Sequence, residues 1–274
     1  MLLLSQIYIY PIKSLGGISL QNAKLTDRGL QYDRRWMLTD GNGLLITQRE
    51  YPRLALLQPE IVEDKIEITN RETGELIQIE LNPVFSSENK KMQVTVWDDT
   101  MEAFTVGQEV SNWFSKFLNF TVHLVYMPDE SHRKVDSRYA ITGTEINSFS
   151  DAYPFLIIGQ SSLDDLNARL EVQLPMNRFR PNFVFTNGEA FEEDHWKNFK
   201  IGNLSFVGVK PCDRCVMTTI DQEKGISSGK EPLKTLAKYR NFGNKVLFGQ
   251  NVIGMSLGMV AVGDEIEVLS RSKI

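Results

Sequence analysis

The two cysteines of the chain form a single C-x-x-C, Cys212-Asp213-Arg214-Cys215. This spacing admits three chemistries. A structural zinc needs four ligands, and the three histidines, His123, His132 and His195, show no paired ligand spacing. A thioredoxin-like thiol pair opens a helix after a strand, because the helix N-terminus lowers the thiol pKa. Here the following VMTTID is rich in β-branched residues and reads as strand. The third chemistry is one thiolate binding a soft metal centre that arrives with most of its own ligands, with Arg214 favouring the deprotonated sulfur. The bland alternative is two inert cysteines, since free Cys is among the most buried residue types.

Basic residues recur at turns beside apolar runs rather than along helix faces: Lys13, Arg34, Arg35, Arg49, Arg53, Arg178 and Arg180. Any one of them alone reads as a solvated surface charge. In a chain of 30 Lys and Arg against 35 Asp and Glu, net −5, several converging on one anionic ligand would stand out, because charged hydrogen bonds to an anion are strong and often bidentate. The same net charge argues against nucleic acid as a partner. Glu192-Glu193-Asp194 lies in polar sequence and reads as a solvated loop. Gly41-Asn42-Gly43 lacks the third glycine of a dinucleotide fingerprint and reads as a turn. No P-loop, H-E-x-x-H or G-x-S-x-G occurs.

The elements that must position these residues are mostly strands. IYIYPIK alternates up to Pro11, and RRWMLTD and LLITQ flank Gly-Asn-Gly as a hairpin. KIEITN, ELIQIEL, MQVTVW and MEAFTV follow at short spacing with polar turns, the pattern of a barrel or sandwich. A helical period runs over Glu109 to Phe120, with Val110, Trp113, Phe114, Phe117 and Leu118 on one face. After the strand TVHLVYM come some two dozen residues, from Pro128 to Asp151, with little apolar periodicity; so long a loop is usually functional or mobile. PFLIIG reads as a buried strand, and Ser161 with Asp164 as a capping box opening the helix SLDDLNARLEV. FRPNFVF, FKIGNLSFVGV, NVIGMSLGMVAV and EIEVL read as strands, and EPLKTLAKYR as a helix.

The 274 residues, 42% hydrophobic and 24% charged, suit a soluble, core-forming chain of one large or two ordinary domains. The N-terminal MLLLSQIYIYPIK is interrupted by Ser5, Gln6 and Pro11, so no window reaches the roughly 18 apolar residues of a membrane span. It has no basic residue before Lys13, unlike a secretion signal. With two cysteines there is no disulfide scaffold, and a reducing, cytoplasmic location is expected. The expected fold is α+β, mainly β: two β-barrel-like domains, 1–125 and 126–274, with a few helices and the ligand between them.

YPIKSLGG, DRRWML, SSLDDLNARL, RFRPNFVF, PCDRCVMTTID and GKEPLKTLAKYR, in this order, resemble the MOSC-domain proteins with an N-terminal MOSC β-barrel domain, and within them the amidoxime-reducing components and their bacterial counterparts. The likeness runs from about Ile7 to Leu269. It implies a molybdenum cofactor, Mo-molybdopterin, with Cys215 as the catalytic and metal-ligating cysteine and Cys212 as its neighbour. It also implies cofactor contacts from Lys13, Ser14, Arg34, Asp151, Arg180, Asn182, Asp213 and Arg214. The implied reaction is two-electron removal of oxygen from N-hydroxylated compounds, fed by a separate flavin, haem or ferredoxin-type carrier, with no membrane partner. The resemblance also extends to molybdenum-cofactor sulfurases, which implies as an alternative a cofactor or sulfur carrier without turnover. A C-x-x-C thiol oxidoreductase needing no metal is a third reading. Eukaryotic members carry a Tyr after FGQ, where this chain has Asn251.

Overall fold

The computed structural model describes residues 1–85 and 90–272. Seven strands close on themselves: Phe155–Gly159, Phe183–Thr186, Leu2–Ile9, Glu265–Arg271, Trp196–Ile201, Leu204–Asp213 and Lys245–Gly254, the last pairing back onto the first through Phe155 and Val252. Alternate residues of these strands point inward, as the period of two requires. Leu4, Ile7, Phe155, Phe183, Trp196, Phe199 and Phe206 fill the interior. The rings of Phe199 and Phe206 stack with centroids 5.5 Å apart. The first strand of the chain sits inside this barrel, bonded to Phe183–Thr186 on one side and to Glu265–Arg271 on the other.

The second unit is a curled half-barrel. Trp36–Asp40, Val122–Tyr126, Asp99–Thr105 and Lys91–Val96 form one sheet, and Leu57–Val62, Lys65–Asn70 and Leu76–Glu80 a second. The helix Gln108–Leu118 packs Val110 and Phe114 onto a core of Ile12, Leu15, Trp36, Ile66, Ile68 and Leu124. Its apolar face is the one the sequence period marks. The chain passes between the two units at residues 10–15, where Ile12 bridges to Trp36. Gln48 and Gln222 also join the units through reciprocal amide hydrogen bonds of 3.3 and 3.1 Å. A mainly β fold, with three helices among the described residues, is as the sequence implied. None of these helices is long and apolar enough to cross a membrane.

Local expectations fail where tertiary partners claim the side chains. The helix Gln160–Asn167 starts before the expected box and has no side-chain cap. Ser161 Oγ donates instead to the Gly188 carbonyl at 2.7 Å, and Ser162 Oγ to Glu193 at 2.9 Å. The expected hairpin around Gly-Asn-Gly is present but short: the Asp40 N–H donates to the Leu44 carbonyl and the Ile46 N–H to the Leu38 carbonyl, both at 2.9 Å, around a bridge between Thr39 and Leu45, and the other edge of Trp36–Asp40 pairs with Val122–Tyr126. Gly43 there takes φ 83° and lies so close to the Gln93 carbonyl that a Cβ would sit 2.1 Å from it. VMTTID is not a strand: Val216–Thr219 is a 3-10 turn, and only Ile220–Asp221 is extended. The helix expected in EPLKTLAKYR shrinks to Leu233–Leu236. Glu192-Glu193-Asp194 is not a solvated loop either, since Glu193 and Asp194 are buried. Asp194 pairs with Arg240, while Glu193 accepts the Gly159 N–H at 3.1 Å and the Ser162 hydroxyl.

Candidate functional site

One cleft of about 250 Å³ lies where the two units meet, and all of Lys13, Ser14, Arg34, Asp151, Arg180, Asn182, Asp213, Arg214 and Cys215 line it, with Cys212 and Asn251. These residues come from six separate stretches of chain, so their convergence is a product of the fold. Of the basic residues at turns, Arg49 joins them. Arg35, Arg53 and Arg178 do not: they pair with Asp129, Glu72 and Asp221 elsewhere.

The segment leaving the first barrel strand builds one wall. Tyr10 is buried, and its ring is flanked by the guanidiniums of Arg34 at 4.5 Å and Arg180 at 4.1 Å. Gly17 makes room for that ring, because a Cβ there would lie 2.5 Å from Tyr10 Cε1. Arg34 is held by buried Asp33 at 2.5 Å, and Asp33 also accepts the Tyr10 N–H at 2.7 Å. Arg180 donates to the Leu15 carbonyl at 2.7 Å. Burial lowers its guanidinium to about 10, with Arg34 adding to the effect. Asn182 is a strut as well as a lining residue: its amide takes the Leu156 N–H and gives to the Tyr8 carbonyl, both at 3.2 Å.

Lys13 is buried and donates to the Phe149 carbonyl at 2.7 Å and to Asp151 at 2.5 Å. Burial pulls its ammonium down to about 8, against the opposing pull of Asp151. Asp151 opens onto the cleft with its side chain 59% exposed. Desolvation raises its carboxyl, but Lys13, Arg49 and Arg34 outweigh this and hold it well below the usual carboxylate range. Sequence reasoning missed what places it. Buried Arg133 donates to the carbonyls of Ser148, Ser150 and Asp151 at 3.1, 2.5 and 3.0 Å and pairs with Asp99 at 2.7 Å. It thus pins the end of the long loop, and no local signal distinguishes it from any other loop arginine. Trp97, at the turn before Asp98-Asp99, was also missed.

The cysteines are both free and half-buried. Cys212 ends the barrel strand Leu204–Asp213, and Cys215 precedes the 3-10 turn. Arg214 donates to Cys212 Sγ at 3.1 Å and to the Phe179 carbonyl at 2.7 Å, so it supports the sulfur of Cys212 rather than that of Cys215. The Cys215 carbonyl is fixed by the Thr218 hydroxyl at 3.0 Å. Among the described residues no hydrogen bond reaches the Cys215 sulfur.

Five basic side chains, Lys13, Arg34, Arg49, Arg180 and Arg214, face two acidic ones, Asp151 and Asp213, in this cleft. Among the described residues the buried Nε atoms of Arg49 and Arg214 have no protein acceptor. Ser14, Trp97, Arg34 and Arg180 hold positive φ of 71°, 55°, 51° and 54°, a cost that clusters at binding sites. A surplus of partly unsatisfied cations fits an anionic ligand. Among the described residues no three His, Cys, Asp or Glu side chains gather as a metal-ligand set. A metal here would therefore take at most two such side chains as ligands and the rest from a larger group.

The MOSC N-terminal beta barrel domain matches residues 1–121 and the MOSC domain residues 144–267. The chain is 33% identical to mitochondrial amidoxime-reducing component 1 of Mus musculus, over 97% of this chain and 82% of that one. It is 32% identical to mitochondrial amidoxime reducing component 2 of Bos taurus, over 96% and 82%. It is also 32% identical to the molybdenum cofactor sulfurase of Solanum lycopersicum, over 96% of this chain but 35% of that longer protein.

Proposed function

Because this chain belongs to the MOSC proteins in which an N-terminal MOSC β-barrel domain precedes the MOSC domain, we propose that its cleft holds a molybdenum cofactor and reduces N-hydroxylated compounds there. The observation that carries the reading is the convergence on a single cleft of five cations and one thiol that has no hydrogen-bond partner among the described residues. The donor set fits such a group, since a soft thiolate suits a soft metal and guanidiniums suit phosphate and other anionic oxygens. Cys215 would ligate the metal. Lys13, Ser14, Arg34, Arg180 and Arg214 would hold the organic part, with Arg49 at its margin.

When bound, the cofactor supplies two-electron redox chemistry at its metal. The chain's own residues bind, orient and neutralise. Asp151 keeps Lys13 aimed into the cleft, Asp33 does the same for Arg34, and Tyr10 fixes the spacing of Arg34 and Arg180. Asn182 and Arg133 keep the strands and loop that carry these groups in register. The net reaction takes an N-hydroxyl compound, two electrons and two protons to the parent amine or amidine and water. The electrons come from a separate flavin, haem or ferredoxin-type carrier, since the chain has no dinucleotide fingerprint and two cysteines cannot ligate an iron-sulfur cluster.

The likeness to a cofactor sulfurase over nearly the whole chain favours a second reading, in which Cys215 carries sulfur as a persulfide. One experiment separates the two. Purified protein given an artificial low-potential donor should convert hydroxylamine to ammonia and an amidoxime to its amidine, and should do neither with NADH alone. Thiocyanate release on cyanide treatment, without any such turnover, would replace the reductase with the carrier.

A further inference from the structure

Trp97 is the first of two residues joining the strands Lys91–Val96 and Asp99–Thr105, whose ladder closes at Val96 and Asp99. Its φ of 55° lies in the left-handed region, where glycine is the residue of least cost at such a hairpin position. A bulky aromatic here is thus held against local preference. It is also 42% exposed, unlike buried Trp36 and Trp196, and it lines the cleft. Arg49 lies over its ring at 4.3 Å, with Lys13 at 6.0 Å.

Both cations that approach the ring are already engaged by Asp151, Lys13 at 2.5 Å and Arg49 at 3.3 Å. This end of the cleft therefore carries an exposed carboxylate beside its two cations. It offers a flat π-surface stiffened by a stacked guanidinium. Such a surface favours a neutral, planar, conjugated partner by dispersion and stacking.

We infer that Trp97 is a specificity-determining residue that stacks on the planar, conjugated portion of the substrate, selecting aromatic amidoximes and N-hydroxylated bases over small non-planar hydroxylamines. The inference rests on the reductase reading, and Arg49 acts through Trp97 as its positioning residue. Loss of one stacking partner weakens binding by about tenfold, toward the lower end of the range for base-aromatic stacking.

The test uses wild type, Trp97→Ala and Trp97→Phe. Binding of benzamidoxime is measured by calorimetry without any electron donor, and KM and kcat for benzamidoxime and hydroxylamine are measured with one. Trp97→Ala should raise the benzamidoxime Kd and KM about tenfold and lower kcat/KM for benzamidoxime about tenfold relative to that for hydroxylamine, and Trp97→Phe should restore most of the loss. Unchanged benzamidoxime binding in Trp97→Ala, or an equal loss with both substrates, overturns the inference and leaves the reductase standing. Trp97-dependent binding of benzamidoxime in a wild-type protein without reductase activity keeps the stacking surface and removes the reductase.

Discussion

Arg214 donates a hydrogen bond to Cys212 Sγ at 3.1 Å, while no hydrogen bond reaches the Cys215 sulfur among the described residues. The two cysteines of the C-x-x-C are therefore chemically unequal. Cys212 has a structural partner, and Cys215 has a free sulfur facing the cleft.

Replacing Cys212 by Ser should accordingly leave molybdenum content and turnover largely intact, because a hydroxyl can still accept from Arg214. Its effect should be confined to stability, within about 1 kcal/mol for one exchanged hydrogen bond. Chemical denaturation alongside steady-state kinetics would check this. A loss of activity equal to that of a Cys215 variant would instead indicate a thiol pair acting as a unit.

Arg34 is tied to stability as well as to the ligand. Its truncation to Ala leaves the buried Asp33 carboxylate without its ion pair, a change that costs about 3 kcal/mol in comparable buried pairs. The double variant Arg34→Ala with Asp33→Asn should recover much of that stability but not cofactor occupancy. Melting temperature and metal content on the same samples separate the two effects, and recovery of both would remove Arg34 from the binding site.

Glu193 gives a pH signature unrelated to the cleft. Burial, with Asp194 beside it, raises its carboxyl from the ordinary 4.5 to about 7. Between these values the folded protein keeps a proton that the unfolded chain has released. Its contribution to stability therefore falls as pH rises through that window, and the penalty is complete above about 7. Glu193→Gln should abolish this slope and stabilise the protein at pH 8 by on the order of 3 kcal/mol. Denaturation midpoints from pH 4 to 8 would show it, and a parallel pH slope in the variant would contradict it.

The sequence disclosed the strands of the fold and the cleft residues by different routes. Alternation marked strands such as Lys65–Asn70 and Glu265–Arg271 because one face of each is buried. The helix Gln108–Leu118 was legible for the same reason. Convergence of Lys13, Arg34, Arg180 and Cys215 was legible only through motif resemblance, because nothing in local spacing tells which turns meet. Where long-range partners decide, local rules failed. Ser161 leaves its expected cap for the Gly188 carbonyl, and Arg240 draws Asp194 into the interior. Arg133 and Trp97 gave no signal, since the first acts through backbone carbonyls and the second resembles any turn-flanking aromatic.

In the proposed reading one thiolate, Cys215, tethers a molybdenum cofactor between the two β units. Elemental analysis of the purified protein, with release of its fluorescent oxidised pterin, tests this most directly when wild type and Cys215→Ser are prepared side by side. Wild type should carry molybdenum and pterin in near-equal amounts, with molybdenum lost or its absorption bands shifted in Cys215→Ser. Wild-type protein isolated with zinc and no pterin, or a Cys215→Ser variant with unchanged molybdenum and spectrum, would contradict it.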